Sequence, residues 1–243
     1  MLQYRDIFYK QYYSSQLGRD ATNYKKKFDA ESAQLAAEIA PMIAAAKDAV
    51  ICDLGCGTGS LVKVLLNKGY TQSMGVDVSE EMVQVAHTLG VPQVQQADVN
   101  TFLASHKNHF DIITGIDIIE HFTKDELVAL LRLIYEALKP GGMVIFRTPN
   151  LDAPFATLYA NGDFTHENYL NASSAQQVMM NCGYNDIAVK ASLIRIQNPV
   201  KEAVRKIVWQ MLLFRLKLQL FATGRSSRGV LFTPNMIIQG FKK

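Results

Sequence analysis

The sequence lacks long apolar runs: no stretch reaches the roughly 18 uncharged residues of a membrane span. Its opening, MLQYRDIFYKQYY, has no apolar run behind a basic one, so a signal peptide is not expected. Cysteine is scarce. Cys52, Cys56 and Cys182 are odd in number and show no CxxC spacing, which argues against a disulfide framework and fits a reduced, cytoplasmic setting. Internal repeats and low-complexity segments are absent. Acids are missing from one region. Residues 195–243 hold ten lysines and arginines against the single acid Glu202, while the rest of the chain carries 15 basic and 21 acidic groups. The net charge of +3 hides this split. A basic C-terminal part either faces something anionic, such as a membrane surface, a phosphorylated lipid or nucleic acid, or is a solvated basic face.

What is present is one domain's worth of alternating elements. The 243 residues, 49% hydrophobic and 19% charged, suffice for an α/β domain with a sizeable core. Residues 1–28, rich in tyrosine and lysine (Tyr4, Tyr9, Tyr12, Tyr13, Tyr24), read as an arm or cap. Asp29 is expected to cap a helix through ESAQLAAEIAPMIAAAK, bent or broken at Pro41. Strands AVICDLG, SMGVDVS, PQVQQADV, FDIITGID and MVIFRTP then alternate with helices SLVKVLLNKG, EEMVQVAHTLG and DELVALLRLIYEALK. Ser79 can cap the second of these helices, and Thr123 with Glu126 forms a capping box on the third. Ser174 with Gln177 suggests another capping box. DIAVKASLI, a helical insertion spanning 197–229 and a last strand in VLFTPNMIIQGF complete the chain. Alternating β and α units imply a parallel sheet with helices on both faces and a ligand at the strands' carboxyl ends.

The chemistry gathers at those ends. The first strand runs into Asp53-Leu54-Gly55-Cys56-Gly57-Thr58-Gly59, a glycine turn without the G-x-G-x-x-G spacing of dinucleotide binders. Asp53 would repel a pyrophosphate and suit a cationic ligand. Asp77 ends the second strand, where an acid accepts hydrogen bonds from ribose hydroxyls. Asp98 ends the third, where a carboxylate can meet an adenine amino group. Each acid alone could be a surface residue or a helix cap; three at consecutive strand ends beside a glycine turn point to an adenosine-bearing cation.

DLGCGTG, GVDVS, ADV, GIDIIEHF and LKPGG, in this order over about residues 48–148, resemble the motifs of class I S-adenosylmethionine-dependent methyltransferases. The resemblance implies a doubly wound, seven-stranded, mostly parallel Rossmann-like sheet with a reversed last strand. It implies that Asp53 and the turn of Gly55, Cys56, Gly57 and Gly59 lie near the cofactor's methionine part. Asp77 would bind ribose, Val78 and Met82 would flank the adenine, and Asp98 and Val99 would touch its edge. Ile116 and Asp117 would line the site beneath the sulfonium. RTPN, GDFTHE and NCGY are similar to a subgroup associated with surface-polysaccharide and lipopolysaccharide biosynthesis, although Tyr169-Leu170-Asn171 departs from its pattern. The pair Glu120-His121 is shared with quinone-biosynthesis O-methyltransferases.

The leading expectation is therefore a single-domain O-methyltransferase acting on a sugar hydroxyl of a lipid-linked or surface glycan. An O-methyltransferase of a quinone or other lipid-soluble phenol is the alternative, and a catalytically silent cofactor-binding module is an alternative of another class. Glycine spacing and Asp53 disfavour nicotinamide chemistry; Asp117-Ile118-Ile119-Glu120 disfavours nucleobase methylation. No nucleic acid partner is expected, and the oligomeric state is left open. Of five histidines, His166 is expected to be the acceptor-side base, oriented by Asp163, with His121 the runner-up. Asp163 with His166 supplies too few ligands for a metal centre, so none is assigned. Residues 200–221 are apolar at helical spacing with basic residues between them, either an interfacial helix on an anionic membrane, peripheral to its inner face, or a helix packed on the domain.

Overall fold

A computed structural model describes residues 4–9, 24–196 and 198–243. Tyr12, Tyr13 and the rest of the arm's middle lie outside the described residues. Short helix α1 (Tyr4–Phe8) precedes α2 (Tyr24–Glu38), and then β1 (Ile51–Leu54), α3 (Ser60–Asn67), β2 (Ser73–Asp77), α4 (Glu80–Thr88), β3 (Val94–Gln96), α5 (Val99–Ala104) and β4 (Phe110–Ile116) follow. After β4 come α6 (Lys124–Ala137), β5 (Leu138–Pro149), α7 (Ala156–Ala160), α8 (Ala172–Asn181), β6 (Asn185–Ala191), α9 (Pro199–Ala222) and β7 (Asn235–Phe241).

The sheet order is β3-β2-β1-β4-β5-β7-β6, with β7 the one reversed strand. The central strands are apolar because both faces are covered: Ile51, Leu54, Ile113, Val144, Ile145 and Phe146 are all fully buried. The order reverses between β1 and β4, so the crevice above their carboxyl ends is the switch point where a ligand fits. Ser79 caps α4 through Met82 N, and Thr123 and Glu126 form the expected capping box on α6.

Four local expectations fail for physical reasons. Helix α2 begins at Tyr24, not after Asp29, because Phe28 is buried in the cluster with Val62 and Val91; Asp29 lies inside the helix, 3.4 Å from Lys25. Asn171, not Ser174, caps α8. The Ser174 hydroxyl answers as the third-residue partner of that capping box. Strand β5 starts at Leu138, which pairs with Phe110 before a register shift, so LKPGG belongs to the strand rather than to a loop. Strand β3 stops at Gln96 because Asp98 turns the chain into α5 as its N-cap.

Candidate active site

Gly55, Gly57 and Gly59 all adopt left-handed backbone (φ 60°, 53° and 78°). A Cβ at Gly55 would lie 2.6 Å from Ile118, and one at Gly59 would lie 2.8 Å from Val94. Both glycines are therefore demanded by packing as well as by conformation. Gly57 differs: the nearest atom to its missing Cβ is Met82 Sδ at 4.0 Å, so it faces open space. Its N–H donates to Asp77 Oδ2 at 2.8 Å, and Ser79 N donates to Asp77 Oδ1 at 2.8 Å. Burial raises the Asp77 pKa, and these two donors oppose it. Val78 is exposed beside it, a flat apolar wall available to an aromatic ring.

Asp53 is buried at the end of β1 and accepts a hydrogen bond from Thr114 Oγ1 at 2.6 Å. Burial pushes its carboxyl up to about 7; the Thr114 bond opposes this, and neighbouring Glu31 and Asp77 add to it. An acid so crowded by negative charge is relieved by a bound cation. The open floor at Gly57, the Val78 wall and this acidic end fit a cationic adenosine cofactor. Asp98 caps α5 through Thr101 N and Oγ1 (2.9 and 3.0 Å), with its carboxylate exposed and Val99 buried behind it. Ile116 ends β4, half-buried. Asp117, at φ 52°, is held by Arg147 through Nε at 3.1 Å and through Nη2. The same guanidinium reaches Glu38 at 3.4 Å, and Glu38 in turn receives Ser192 Oγ and Leu193 N.

The segment NGDFTHENYL is pinned over the end of β4. Glu167 N and Asn168 N donate to the carbonyl of Glu120 at 2.8 and 3.0 Å. Thr165 is fully buried, and its hydroxyl donates to Asp163 Oδ1 at 2.8 Å. That leaves Thr165 Oγ1 to accept from His121 Nδ1, also at 2.8 Å. Asp163 thus orients His121 through Thr165. His166 is oriented instead by the Ala160 carbonyl, 2.9 Å from its Nδ1, which corrects the expected Asp163–His166 pairing. The two imidazoles meet edge to face with centroids 4.8 Å apart. Burial, and then neighbouring His166, lower the His121 pKa, so its ring is neutral at pH 7.

Glu120 went unassigned in the sequence reading. It is buried, its Oε2 accepts from Thr148 Oγ1 at 3.0 Å, and burial beside Asp117 raises its pKa strongly. Ligand atoms of Glu120, His121 and His166 lie within 4.8 Å of one another, a set that could hold a divalent cation. This set, and not Asp163 with His166, is the metal-capable group among the described residues. A void of about 10 Å³ between Glu120, Asn150, His166 and Asn168 has room for one water.

Helix α1 lies across this loop. Tyr4 Oη donates to Glu167 at 2.5 Å, Phe8 stacks on Phe164 at 5.3 Å, and Arg5 forks onto Glu126 at 2.6 and 2.8 Å. Burial pushes the Tyr9 hydroxyl up to about 12, and neighbouring Arg5 opposes this. The other histidines have structural partners. His87 Nε2 lies 2.7 Å from Val94 O, His106 Nδ1 lies 2.7 Å from Phe102 O, and the His109 ring packs against Phe110.

Comparison with known proteins agrees with this geometry. A family described as "Methyltransferase domain" matches residues 24–189. Ubiquinone biosynthesis O-methyltransferase of Idiomarina loihiensis is 25% identical over 62% of this chain and 66% of its own length. The Yersinia pestis protein of the same name is 33% identical over 41% of this chain and 42% of its own. The alignments therefore span less than two thirds of these curated relatives. An S-adenosylmethionine-dependent methyltransferase from Archaeoglobus fulgidus superposes with a TM-score of 0.67 at 20% identity, over 92% of this chain and all of that one. Phosphoethanolamine N-methyltransferase 2 of Haemonchus contortus, solved with S-adenosylmethionine, gives 0.61 at 18% identity, over all of this chain and 60% of that one. With the seven-stranded sheet and the acid-lined glycine turn, the family match shows that the chain belongs to the methyltransferase-domain family.

Proposed function

We propose that this enzyme methylates a hydroxyl oxygen of a lipid-soluble phenol. The observation that carries this reading is the rim of the acceptor mouth. Leu151, Phe155 and Leu158 stand 46%, 75% and 68% exposed beside the loop that holds His166. Exposed apolar side chains gathered at a site suit an apolar ligand better than a hydrated sugar. The names of the curated relatives, ubiquinone biosynthesis O-methyltransferases, support the same choice. The glycan reading has less behind it. One face of Phe164, the aromatic in the loop that could have stacked on a sugar ring, is covered by Phe8.

When bound, S-adenosylmethionine supplies a methyl group on a sulfonium sulfur. Asp77 would hold the ribose, Val78 and Met82 the adenine, and Asp53 would face the cationic end. The rest of the chemistry falls to positioned groups. His166 Nδ1–H is taken by the Ala160 carbonyl, which puts the ring's lone pair on Nε2. From there it accepts the acceptor's hydroxyl proton, a step worth roughly 10²–10⁴-fold. His121, kept neutral, sets the second wall. Loop 161–170 and helix α1 exclude water from the crevice between them. Phenols ionise near pH 10, far more readily than sugar hydroxyls, so a histidine suffices as base. We place the protein in the cytoplasm, where its three free cysteines stay reduced.

Incubation with radiolabelled cofactor and a fractionated cell extract tests the acceptor class. Label should appear in the solvent-extractable lipid fraction. Label confined to the polysaccharide fraction would restore the glycan reading.

A further inference from the structure

Helix α9 is apolar around most of its circumference, yet none of its 24 residues is buried. Its body-facing side, with Arg205 and Trp209, lines an open cavity of about 370 Å³ together with Met42, Leu193 and Ile237. The opposite side is exposed: Val200, Val204, Ile207, Met211, Phe214 and Leu218. At about 100° per residue these form one stripe, flanked by Lys201 and Arg215 on one edge and by Lys206 and Lys217 on the other. The single acid, Glu202, is neutralised within the helix by Arg205 at 2.7 Å through both nitrogens. The outward surface is therefore apolar and purely cationic.

Topology roots this helix at the edge of the sheet that carries the mouth. Ala191 at the end of β6 pairs with Met236, and Pro149 at the end of β5 pairs with Asn235 at the start of β7. Insertion α9 therefore springs from the carboxyl edge of the sheet, the edge that carries Glu120, His121 and loop 161–170. Its root is tied to the site, since Glu38 holds Ser192 and Leu193 on one side and Arg147 on the other.

We infer that α9 lies in the surface of an anionic phospholipid bilayer and sets the acceptor mouth against it. An apolar stripe with lysines on both flanks is the pattern of an interfacial helix: the stripe enters the acyl boundary and the lysines reach the phosphates. No helix among the described residues is long and apolar enough to cross a membrane, so the contact is peripheral. A second copy fits the stripe less well. A two-fold contact along α9 would bring its lysine edges close to those of its mate, with no acid to separate them. The inference extends the reading of a lipid-soluble acceptor, which would then arrive from the bilayer.

Flotation of the full chain with vesicles tests it without acceptor or cofactor, so its failure leaves the acceptor assignment standing. The protein should float with phosphatidylglycerol–phosphatidylcholine vesicles at low salt, float poorly with phosphatidylcholine alone, and dissociate as salt rises. The exposed-stripe variant Ile207→Glu/Met211→Glu/Phe214→Glu should bind at least about tenfold less. Unchanged cofactor binding by calorimetry would show that the variant is folded; should it misfold, Lys206→Gln/Lys217→Gln serves in its place. Trp209 is the sole tryptophan and faces the body. Moving it outward, as Trp209→Phe/Phe214→Trp, should make its fluorescence quenchable by brominated lipid. Absence of vesicle binding at low salt overturns the inference. So does a soluble dimer that the stripe variant converts to monomer.

Discussion

His121 Nδ1 lies 2.8 Å from Thr165 Oγ1, across forty-four residues of chain. This bond joins the end of β4 to the loop after β5. Thr165 donates its own proton to Asp163, so it can only accept from the imidazole. The tautomer of His121 is thereby fixed, with its lone pair on Nε2. Thr165 acts as a positioning residue. Thr165→Val should preserve the buried shape and lower turnover by roughly tenfold, with cofactor affinity unchanged, because an unanchored imidazole samples the wrong tautomer. Thr165→Ser should restore most of the loss. Equal loss in the valine and serine variants would make the residue's role one of packing.

Asp77 receives two backbone N–H groups and still presents its carboxylate to the crevice. Asp77→Ala should weaken S-adenosylmethionine binding by roughly 1–3 kcal/mol through lost charge-assisted hydrogen bonds. Asp77→Asn should fall between the two. Calorimetry reads both directly; undiminished affinity in the alanine variant would remove the ribose from this carboxylate.

Asp53 makes binding depend on pH. Its folded pKa of about 7 lies above the ordinary 3.8, so its contribution to stability is present below about pH 4 and is lost as pH rises through about 7. A cationic cofactor favours the ionised acid. Binding should therefore tighten from about pH 6 to about pH 8 and release protons on the way. Calorimetry in buffers of differing ionisation enthalpy measures the release. Asp53→Asn should abolish it; the same proton release in that variant would assign the effect to another group.

Arg147 is buried between Asp117 and Glu38. Arg147→Met should leave the buried Glu38 without its counter-charge, although Ser192 and Leu193 still donate to it, and cost about 3–5 kcal/mol in denaturant unfolding. Adding Glu38→Gln should return part of that loss. A single variant as stable as the parent would show that water already reaches the pair.

Much of this was legible in the sequence because its causes are local. The glycine turn, the acids at the ends of β1 and β2, the Ser79 cap and the Thr123–Glu126 box each depend on residues a few positions apart. The failures come from long-range contacts. The start of α2 is set by the burial of Phe28 against α3 and α4, which no cap signal announces. Asp163 stands three residues before His166 and yet serves His121, because the loop folds back onto the Glu120 carbonyl. Glu120 went unassigned because nothing beside it shows that it is buried. The one signal for it is the run Asp117-Ile118-Ile119-Glu120-His121, which puts two acids and an imidazole within five residues. The basic asymmetry of residues 195–243 was plain, but only the fold shows that α9 leaves the sheet at the site's own edge.

The most direct measurement is methyl transfer by the purified protein to a prenylated catechol in detergent, read by mass spectrometry of the solvent-extracted product. The wild type should add one methyl group on oxygen. His166→Ala should bind cofactor as well as the parent and turn over at least about a hundredfold more slowly. Transfer to a soluble sugar with none to the catechol, or full turnover by the His166 variant, would contradict the account.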